Sequence, residues 1–347
     1  MNEKIRVLVV DDSLLFCQTM MYHLSRNPRI DAVGYAIDAF DAERKIPSLK
    51  PDVVTLDVEM SGLNGIEFLK KLLPKHSVPV ILVSSLNLNV FEALSAGAVD
   101  FVKKPDMSSG NTVSAFFNIL TRKISIASRA LVKTHFTSPV SSVSMKIPEN
   151  RKPFPLNACN TIIAIGASTG GTEAILQVLK DLPADTPGIV VTQHMPEGFT
   201  KMYAERLNRL CYMNVKEAQN GDIIEKGKVL IAPGDLQMKV ARSGSHYIVN
   251  CIPGEKVSGH RPSVDVLFKS VAAAGPSSVG IILTGMGRDG AEGLLEMKKR
   301  GAYTIGQDEE SCVVYGMPMV AYNIGAVTLQ ASCSNISSIL LKHLYSL

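Results

Sequence analysis

The sequence lacks the features that mark secreted, membrane-spanning and zinc-binding chains. No apolar run approaches the roughly 18 to 20 residues that a spanning helix needs. The short apolar stretch 7–10 ends in Asp11 and Asp12, which a signal peptide would not do. The six cysteines form no C-x-x-C pair, so neither a disulfide framework nor a zinc site is indicated. These absences predict a soluble cytoplasmic protein with reduced thiols.

An excess of one charge is also missing from most of the chain. The formal net charge is +4. Residues 1–126 carry 14 basic and 14 acidic groups, and residues 158–347 carry 17 of each, so the excess lies in residues 127–157. Two charge-balanced regions offer no basic face for a phosphate backbone. Nucleic acid is therefore not an expected partner.

The sequence does contain two regions in which strand and helix patterns alternate, as expected for about two domains in 347 residues with 46% hydrophobic content. In residues 1–126 five strand-like runs predict an N-terminal doubly wound five-stranded parallel sheet. The runs are 5–10, 30–36, 53–56, 78–83 and 98–102. Residues 127–157, rich in serine and proline, predict a flexible basic linker. Residues 158–347 predict a second three-layer α/β domain with a mostly parallel sheet.

Acidic and polar residues follow four predicted strands of the first domain. They are Asp11, Asp12, Asp57, Ser84 and Lys104. Because the carboxyl ends of parallel strands meet at one edge of a sheet, these side chains are expected to gather there. Three carboxylates repel one another unless a cation neutralises them, and an all-oxygen set suits Mg²⁺. The ion and Lys104 would balance the charge of a phosphoryl group transferred to Asp57.

Each of these residues also has an ordinary structural role, because Asp and Ser are common helix caps and turn formers. Their joint position at strand ends favours a functional site. The region resembles the response-regulator receiver domain from residue 1 to about residue 125. The resemblance rests on segments 8–12 (LVVDD), 56–60 (LDVEM) with Gly65, 83–84 (VS) and 100–105 (DFVKKP).

The receiver resemblance implies a role for each matching residue. Asp57 is the implied phosphoacceptor. The implied Mg²⁺ ligands are Asp11, Asp12, Asp57 and the backbone carbonyl of Glu59. The implied switch residues are Ser84, Phe101 and Lys104. Since a phosphorylated receiver usually controls something else, the activity is expected after the linker.

A glycine-rich turn with a central serine follows the first predicted strand of the second domain. Residues 166–171 (GASTGG) place Ser168 in the G-x-S-x-G pattern and in the strand-turn-helix context of a nucleophile elbow. Alone, the string is also explained by a helix-capping serine or a phosphate-binding loop. His194 and Asp289 each follow a further predicted strand, which predicts a nucleophile, a general base and an orienting carboxylate. The turn around Met286 would offer a backbone N–H to an oxyanion.

The order of these three residues differs from the Ser, Asp, His order of α/β-hydrolases. A conventional hydrolase would need a late histidine, and His343 lies in a predicted helical tail. His246 is expected at the surface in a turn. His260 precedes a predicted helix, and both capping and substrate contact remain open for it.

Over nearly the whole chain, the motifs together resemble those of one protein family. A receiver joined by a linker to this second domain resembles the chemotaxis response regulators that are protein-glutamate methylesterases, the CheB type. The matching segments after the linker are 165–171 (IGASTGG), 193–196 (QHMP), 231–234 (IAPG), 260–265 (HRPSVD), 285–290 (GMGRDG), 307–310 (QDEE) and 314–318 (VYGMP). Between residues 85 and 98 the chain is about one helical turn shorter than is usual in the family.

This resemblance implies an activity and partners. The activity is hydrolysis of glutamate γ-methyl esters on the cytoplasmic helices of chemoreceptors, with release of methanol and deamidation of certain receptor glutamines. The phosphodonor is the chemotaxis histidine kinase, the enzyme is a monomer, and the catalytic domain needs no cofactor. The implied catalytic residues are Ser168, His194 and Asp289. The implied oxyanion or substrate residues are Thr169, Met286, His260 and Arg261.

Two other classes of function compete with the esterase. A non-enzymatic phospho-switch would have no need for His194 and Asp289 beside a nucleophile-elbow serine. A DNA-binding output domain conflicts with the zero net charge of residues 158–347. The linker is long enough for the receiver to cover the Ser168 cleft, which predicts an autoinhibited enzyme that phosphorylation releases.

Overall fold

A computed structural model describes residues 3–60, 65–84, 89–106, 110–130 and 153–347. The chain divides into two compact units, Met1–Pro139 and Val140–Leu347. Most of the predicted linker and residues 85–88 of the shortened segment lie outside the described residues. The predicted domain boundaries at residues 126 and 157 therefore stay predictions.

In the first unit, buried apolar runs form strands that alternate with capped helices. The Ser13 hydroxyl starts the first helix by accepting a hydrogen bond from the backbone N–H of Phe16 at 3.3 Å. The Asp38 carboxylate caps the second helix through the N–H of Asp41 at 2.7 Å. The elements are β1 (Ile5–Val10), α1 (Leu14–Ser25), β2 (Ile30–Ala36), α2 (Ala39–Leu49), β3 (Val53–Leu56), α3 (Gly65–Leu72), β4 (Val80–Ser84), α4 (Asn89–Ser95), β5 (Asp100–Lys103) and α5 (Gly110–Ala127).

These strands form the predicted five-stranded parallel sheet, which is confirmed in the order β2-β1-β3-β4-β5. The strand order reverses beside β1, and such a switch point opens a crevice at the carboxyl ends of the neighbouring strands. Asp11 follows β1 and Asp57 follows β3, so both lie at this crevice.

The second unit repeats the alternation with a larger sheet. Its elements are α6 (Leu156–Cys159), β6 (Ile162–Ala167), α7 (Gly171–Leu179), β7 (Ile189–Gln193), α8 (Phe199–Leu210), β8 (Asn214–Glu217), β9 (Lys228–Ile231), β10 (Gln237–Ser243), β11 (His246–Ile252), α9 (Val264–Val271), β12 (Ser278–Ile282), α10 (Ala291–Lys299), β13 (Tyr303–Gln307), α11 (Met317–Asn323), β14 (Leu329–Ala331) and α12 (Cys333–Tyr345). A short 3₁₀ segment, Ala272–Ser277, joins α9 to β12.

The predicted second α/β domain is confirmed, and its seven-stranded sheet is parallel throughout. The strand order is β14-β13-β12-β6-β7-β9-β8, so the chain enters at the centre and extends the sheet in both directions. Strand β6 lies between β7 and β12. The segments that follow these three adjacent strands contain Ser168, His194 and Asp289, which brings the predicted triad to one edge of the sheet.

Four strands were missed by the sequence patterns. Strands β8 and β14 are edge strands of only four and three residues, too short to show an alternating pattern. Strands β10 and β11 form an antiparallel hairpin outside the main sheet, with Gly244 at φ 58° in its two-residue turn. His246, expected in a turn, begins β11 and is exposed as predicted.

The close packing of α9 on the sheet fixes the position of one part of the site. Gly166 in β6 has no side chain, and a Cβ atom there would lie 2.1 Å from Cγ1 of Val264 in α9. Gly290, with φ 91°, leaves space for the same valine. Val264 is fully buried in a core that also contains Leu267, Phe268 and Leu294. The first turn of α9 therefore sits directly on the edge where the three strands end.

The structure bears on two features that the sequence lacks, paired cysteines and long apolar runs. All six cysteines are free. Within the described part of the chain, no helix has the length and apolar character needed to cross a membrane.

Candidate active site

Ser168 lies in the turn between β6 and α7, where the backbone is held from both sides. Its N–H donates to the carbonyl of Thr284 at 3.0 Å, and its carbonyl accepts from the N–H of Gly171 at 2.7 Å and from Nε2 of Gln193 at 2.9 Å. Gly170, with φ 76°, adopts a left-handed conformation that allows the sharp turn. The serine side chain is left half-buried at the edge of the sheet.

His194 follows β7 and is the immediate neighbour of the serine turn, since its backbone N–H donates to the carbonyl of Ala167 at 3.1 Å. Its Nε2 lies 2.7 Å from Oδ2 of Asp289. An ionised carboxylate only accepts, so Nε2 carries a proton toward Asp289, and Nδ1 is the ring nitrogen that can take a proton from the serine. Nδ1 is buried and has no hydrogen-bond partner among the described residues. Ser168 and His194 are thus neighbours that are not hydrogen bonded to each other.

Asp289 is buried and surrounded by donors. Oδ2 accepts from His194 and from the N–H of Val264 at 2.7 Å. Oδ1 accepts from the hydroxyl of Ser263 at 2.8 Å and from the N–H of Asp265 at 3.2 Å. Burial raises the pKa of the Asp289 carboxyl, but the His194, Ser263 and Val264 donors outweigh it and hold the pKa below its usual value. The carboxylate therefore stays charged in a buried position.

His260 stacks on the predicted general base. The rings of His260 and His194 are 3.7 Å apart between centroids and inclined by only 3°. The loop before α9, which carries His260, is anchored by Gln237 of β10. The side chain of Gln237 accepts from the N–H of Ser263 at 2.9 Å and donates to the carbonyl of Glu255 at 2.9 Å. This anchor holds the loop against the edge of the sheet.

The other predicted substrate and oxyanion residues differ in their surroundings. The guanidinium of Arg261 is engaged within its own loop region, with Nε 2.9 Å from Oδ1 of Asp235 and Nη1 2.6 Å from the carbonyl of Gly254. Thr169 is buried directly after the serine, and Met286 is half-buried in the turn that follows β12. The substrate role of Arg261 and the oxyanion roles stay predictions.

The two histidines weighed as alternatives lie in other parts of the fold. His246 is exposed at the start of the hairpin strand β11. His343 in α12 stacks on Tyr303 with centroids 4.2 Å apart. Tyr303 begins β13, which is the amino end of that strand, whereas the serine turn follows the carboxyl end of β6. The structure therefore brings His194 to the serine, and not His343 or His246.

In the first unit, Asp11, Asp12 and Asp57 each offer a carboxylate oxygen, and these atoms lie within 4.8 Å of one another. Lys104 pairs with two of them, through Oδ2 of Asp11 at 2.7 Å and Oδ2 of Asp57 at 2.5 Å. Burial raises the pKa of Asp57 above its usual value, and Lys104 opposes this shift only in part. The pKa of Lys104 is raised because its carboxylate partners outweigh the effect of burial. An all-oxygen cluster with one exposed member, Asp12, suits a hard divalent cation.

The remaining predicted receiver residues surround this cluster. Ser84 is buried, and its hydroxyl has no hydrogen-bond partner in the described part of the chain. Phe101 is also buried, with its ring packed edge-on against Phe91 at 6.5 Å between centroids. Glu59 is exposed, and its N–H donates to Oδ1 of Asp57 at 3.0 Å. Their switch and ligand roles stay predictions.

Sequence reasoning missed the residues that hold the predicted triad in place. Ser263, Gln237 and Asp265 are buried polar residues, and the Asp265 carboxylate accepts from the N–H of Gly293 at 2.7 Å. A serine before an apolar periodic run does signal a helix cap at Ser263. The sequence contained no signal that this cap would meet Asp289, which lies 26 positions further along the chain.

Comparison with known proteins finds a matching family for each unit. Residues 163–340 match the family model described as CheB methylesterase, and residues 7–110 match that of the response regulator receiver domain. A protein-glutamate methylesterase/protein-glutamine glutaminase 2 of Syntrophomonas wolfei is 54% identical over 340 residues, which cover 98% of this chain and 97% of that protein. A protein-glutamate methylesterase/protein-glutamine glutaminase of Salmonella typhi is 46% identical over 96% of this chain and 95% of its own length. The crystal structure of the Thermotoga maritima CheB methylesterase catalytic domain is 35% identical, with a TM-score of 0.52, and covers 53% of this chain and 98% of that domain.

Proposed function

Because the chain belongs to the CheB family of response-regulator methylesterases, we propose that its second unit hydrolyses γ-methyl esters of glutamate residues on chemoreceptors. It is a serine hydrolase under the control of phosphorylation at its receiver, and it acts in chemotaxis adaptation. The same chemistry deamidates receptor glutamines, as the names of the relatives indicate for those proteins. The observation that carries the proposal is the imidazole of His194, oriented by Asp289 and lying beside the Ser168 turn with Nδ1 unpaired among the described residues.

In the first half-reaction, Ser168 attacks the ester. Its Oγ forms a bond to the ester carbonyl carbon while its proton passes to Nδ1 of His194. The imidazolium that results is stabilised by the charged carboxylate of Asp289, whose lowered pKa keeps it ionised. The bond to the methoxy oxygen then breaks, and the proton on Nδ1 leaves with it as methanol. A glutamine substrate would release ammonia in the same way.

In the second half-reaction, water replaces the alcohol. Nδ1 of His194 takes a proton from water as the water oxygen attacks the acyl carbon. The bond to Oγ breaks, and Ser168 recovers its proton from Nδ1. Backbone N–H groups of the turns at Thr169 and Met286 would bind the oxyanion in both steps, which is the role that the residue after a nucleophile serves in related chemistry. His260, stacked on His194, would border the substrate acyl group.

The receiver unit supplies control. Asp57 is the proposed phosphoacceptor, and its bond to phosphorus forms as the phosphoryl bond of the histidine kinase breaks. Asp11, Asp12, Asp57 and the carbonyl of Glu59 would hold Mg²⁺, which balances the charge of the phosphoryl group when bound. Lys104, which forms an ion pair with Asp57, would pair with that group, while Ser84 and Phe101 would respond to it as switch residues.

The proposed setting follows from the substrate. The enzyme would act in the cytoplasm, where the cytoplasmic helices of chemoreceptors lie. It would act there as a monomer. The catalytic unit needs no cofactor in this mechanism, because its own side chains perform every proton transfer.

The test is release of labelled methanol from a methylated chemoreceptor fragment incubated with the intact chain. Ser168→Ala should abolish release, because the hydroxyl that attacks the ester in the proposed mechanism is removed. Ser334→Ala, which changes a serine of α12 outside the turn, is the matched control and should release methanol at the parent rate. Activity of Ser168→Ala within tenfold of the parent would exclude Ser168 as the nucleophile.

A further inference from the structure

The hydroxyl of Ser263 is buried between a helix start and the proposed triad. Ser263 is fully buried and is the N-cap of α9, where its Oγ accepts from the N–H of Val266 at 3.4 Å. The same hydroxyl donates to Oδ1 of Asp289 at 2.8 Å. The second contact has the length typical of an O–H donor on a carboxylate, whereas the capping contact is long. The stronger bond of Ser263 is therefore made to Asp289.

The surroundings of Asp289 leave this carboxylate little freedom to rotate. Oδ1 is held by Ser263 and by the N–H of Asp265, and Oδ2 is held by the N–H of Val264 and by His194. Both backbone donors belong to the first turn of α9, where the helix dipole favours a negative charge. The hydroxyl is the side-chain donor to Oδ1 and, together with the N–H of Asp265, fixes the plane in which the carboxylate faces the imidazole.

Ser263 is itself held from the other side. Its backbone N–H donates to Oε1 of Gln237 at 2.9 Å, and Gln237 is buried at the start of β10. The cap is thus fixed between the hairpin and the carboxylate, which positions its hydroxyl without depending on solvent.

We propose that Ser263 is a fourth, positioning member of the hydrolytic site, which acts through Asp289 by fixing the carboxylate with Oδ2 toward Nε2 of His194. The inference rests on the proposed function of the Ser168 site. Ser263 does not touch the substrate, and its contribution is the orientation of the imidazole during proton transfer.

The first experiment compares methanol release by Ser263→Ala, Ser263→Gly and Ser270→Ala. Glycine at an N-cap costs a helix little, so Ser263→Gly removes the hydroxyl while largely keeping the stability of the helix start. Ser270 is a hydroxyl on the same helix that binds the carbonyl of Leu267 and the N–H of Val240, and it makes the matched control. Both Ser263 variants should lose kcat by roughly 10- to 100-fold with KM changed less than about threefold, the size expected for loss of one hydrogen bond to a charged group. Ser270→Ala should keep the parent kcat.

The pH profile and a double variant distinguish a positioning role of Ser263 from a purely structural one. The Ser263 hydroxyl is one of the donors that hold the pKa of Asp289 below its usual value. Its removal should move the acid limb of the kcat/KM profile to higher pH, and Ser270→Ala should leave the limb in place. Ser263→Gly added to Asp289→Ala should cause no further loss, since the hydroxyl acts through that carboxylate.

The outcomes distinguish this inference from the proposed function. If the parent releases no methanol, the proposed function fails. If the parent is active and Ser263→Gly keeps kcat within twofold with an unmoved acid limb, the positioning role is wrong. A loss with Ser263→Ala alone would assign the serine to helix capping and overturn the inference in the same way.

Discussion

At the scale of single residues, the carboxylates of Asp289 and Asp57 are buried among partners that donate to them. Asp289 is 1% exposed and accepts hydrogen bonds from four groups, and Asp57 is 3% exposed beside the ammonium of Lys104. An unpaired buried carboxylate would instead be strongly destabilising. The positions of these charges are therefore set by their donors, which makes each charge sensitive to pH or to the loss of one partner.

The lowered pKa of Asp289 predicts the direction of a pH effect on stability. A carboxyl whose pKa is lower in the folded state stabilises the fold above the unfolded pKa, near 4, and loses that contribution as the pH falls through the folded pKa. The difference in free energy of unfolding between the parent and Asp289→Asn should therefore be larger at about pH 7 than at about pH 3. Urea unfolding at both pH values measures it, and a difference that grows toward acid would contradict the sign of the shift.

In the acidic cluster of the receiver, Lys104 and a metal ion are expected to neutralise the same carboxylates, so that the ion can compensate for loss of the lysine. Lys104→Met leaves Asp11 and Asp57 without their cation and should lower the free energy of unfolding by about 3 to 5 kcal/mol. Mg²⁺ neutralises the same charges, so it should raise the Tm of the variant more than that of the parent. Tm is measured with and without Mg²⁺ by thermal unfolding followed by circular dichroism.

Lys123→Met is the control for this experiment, since Lys123 has nearly the same exposure and pairs with Asp100 elsewhere in the receiver. Its Tm should fall without a larger response to Mg²⁺. An equal response in both lysine variants would place the metal somewhere other than the cluster.

At the scale of elements, the site depends on how closely α9 approaches the sheet. The first turn of α9 supplies two N–H donors to Asp289, and this approach is possible because β6 has Gly166 where Val264 packs. Helix α9 is thus both a core element and a support of the proposed triad. A change in its packing should reach the chemistry without touching a reacting group.

Gly166→Ala tests this dependence, because its Cβ would lie 2.1 Å from Cγ1 of Val264. The overpacked variant should lose about 1 to 3 kcal/mol of stability and also lose esterase activity as α9 shifts from Asp289. The double variant Gly166→Ala/Val264→Ala removes the clashing methyl groups and should recover activity relative to Gly166→Ala. Chemical unfolding and methanol release measure the two effects, and a double variant no better than the single one would show that the contact is not the cause.

At the scale of the whole molecule, two units with separate sheets are joined in one chain, and regulation requires that the state of one changes the other. We expect the unphosphorylated receiver to restrain the catalytic unit, with phosphorylation of Asp57 shifting that equilibrium. A coupling of about 1 to 3 kcal/mol would correspond to roughly 5- to 150-fold activation.

Phosphorylation is tested with Mg²⁺ and a small phosphodonor. The intact chain should form one base-labile acyl phosphate and release methanol faster, and Asp57→Ala should show neither response. A fragment of residues 158–347 should be faster than the unphosphorylated chain and should not respond to the donor. A fragment no faster than the unphosphorylated chain would mean that the receiver activates the enzyme instead of restraining it.

Much of this architecture could be predicted from local sequence signals. Buried β-branched runs such as Ile5–Val10 and Val53–Leu56 gave the strands of the first sheet, because apolar periodicity and turn residues are local properties. The placement of Ser168, His194 and Asp289 after strands followed from the same patterns, since all carboxyl ends of a parallel sheet share one edge. Short edge strands such as Leu329–Ala331 were missed, because three residues are too few to show a period.

Only the tertiary structure decided which groups meet within that edge. The sequence determined that a serine, a histidine and an aspartate would be near one another, together with an acidic cluster in the first unit. It could not determine that Nε2 of His194 would face Asp289, that His260 would stack on His194, or that Ser263 would hold the carboxylate. These contacts join residues 26 to 95 positions apart through strand order and helix packing. The physical reason is that hydrogen-bond geometry depends on distances of a few tenths of an ångström, which the packing of α9 against β6 sets and no local pattern of residues encodes.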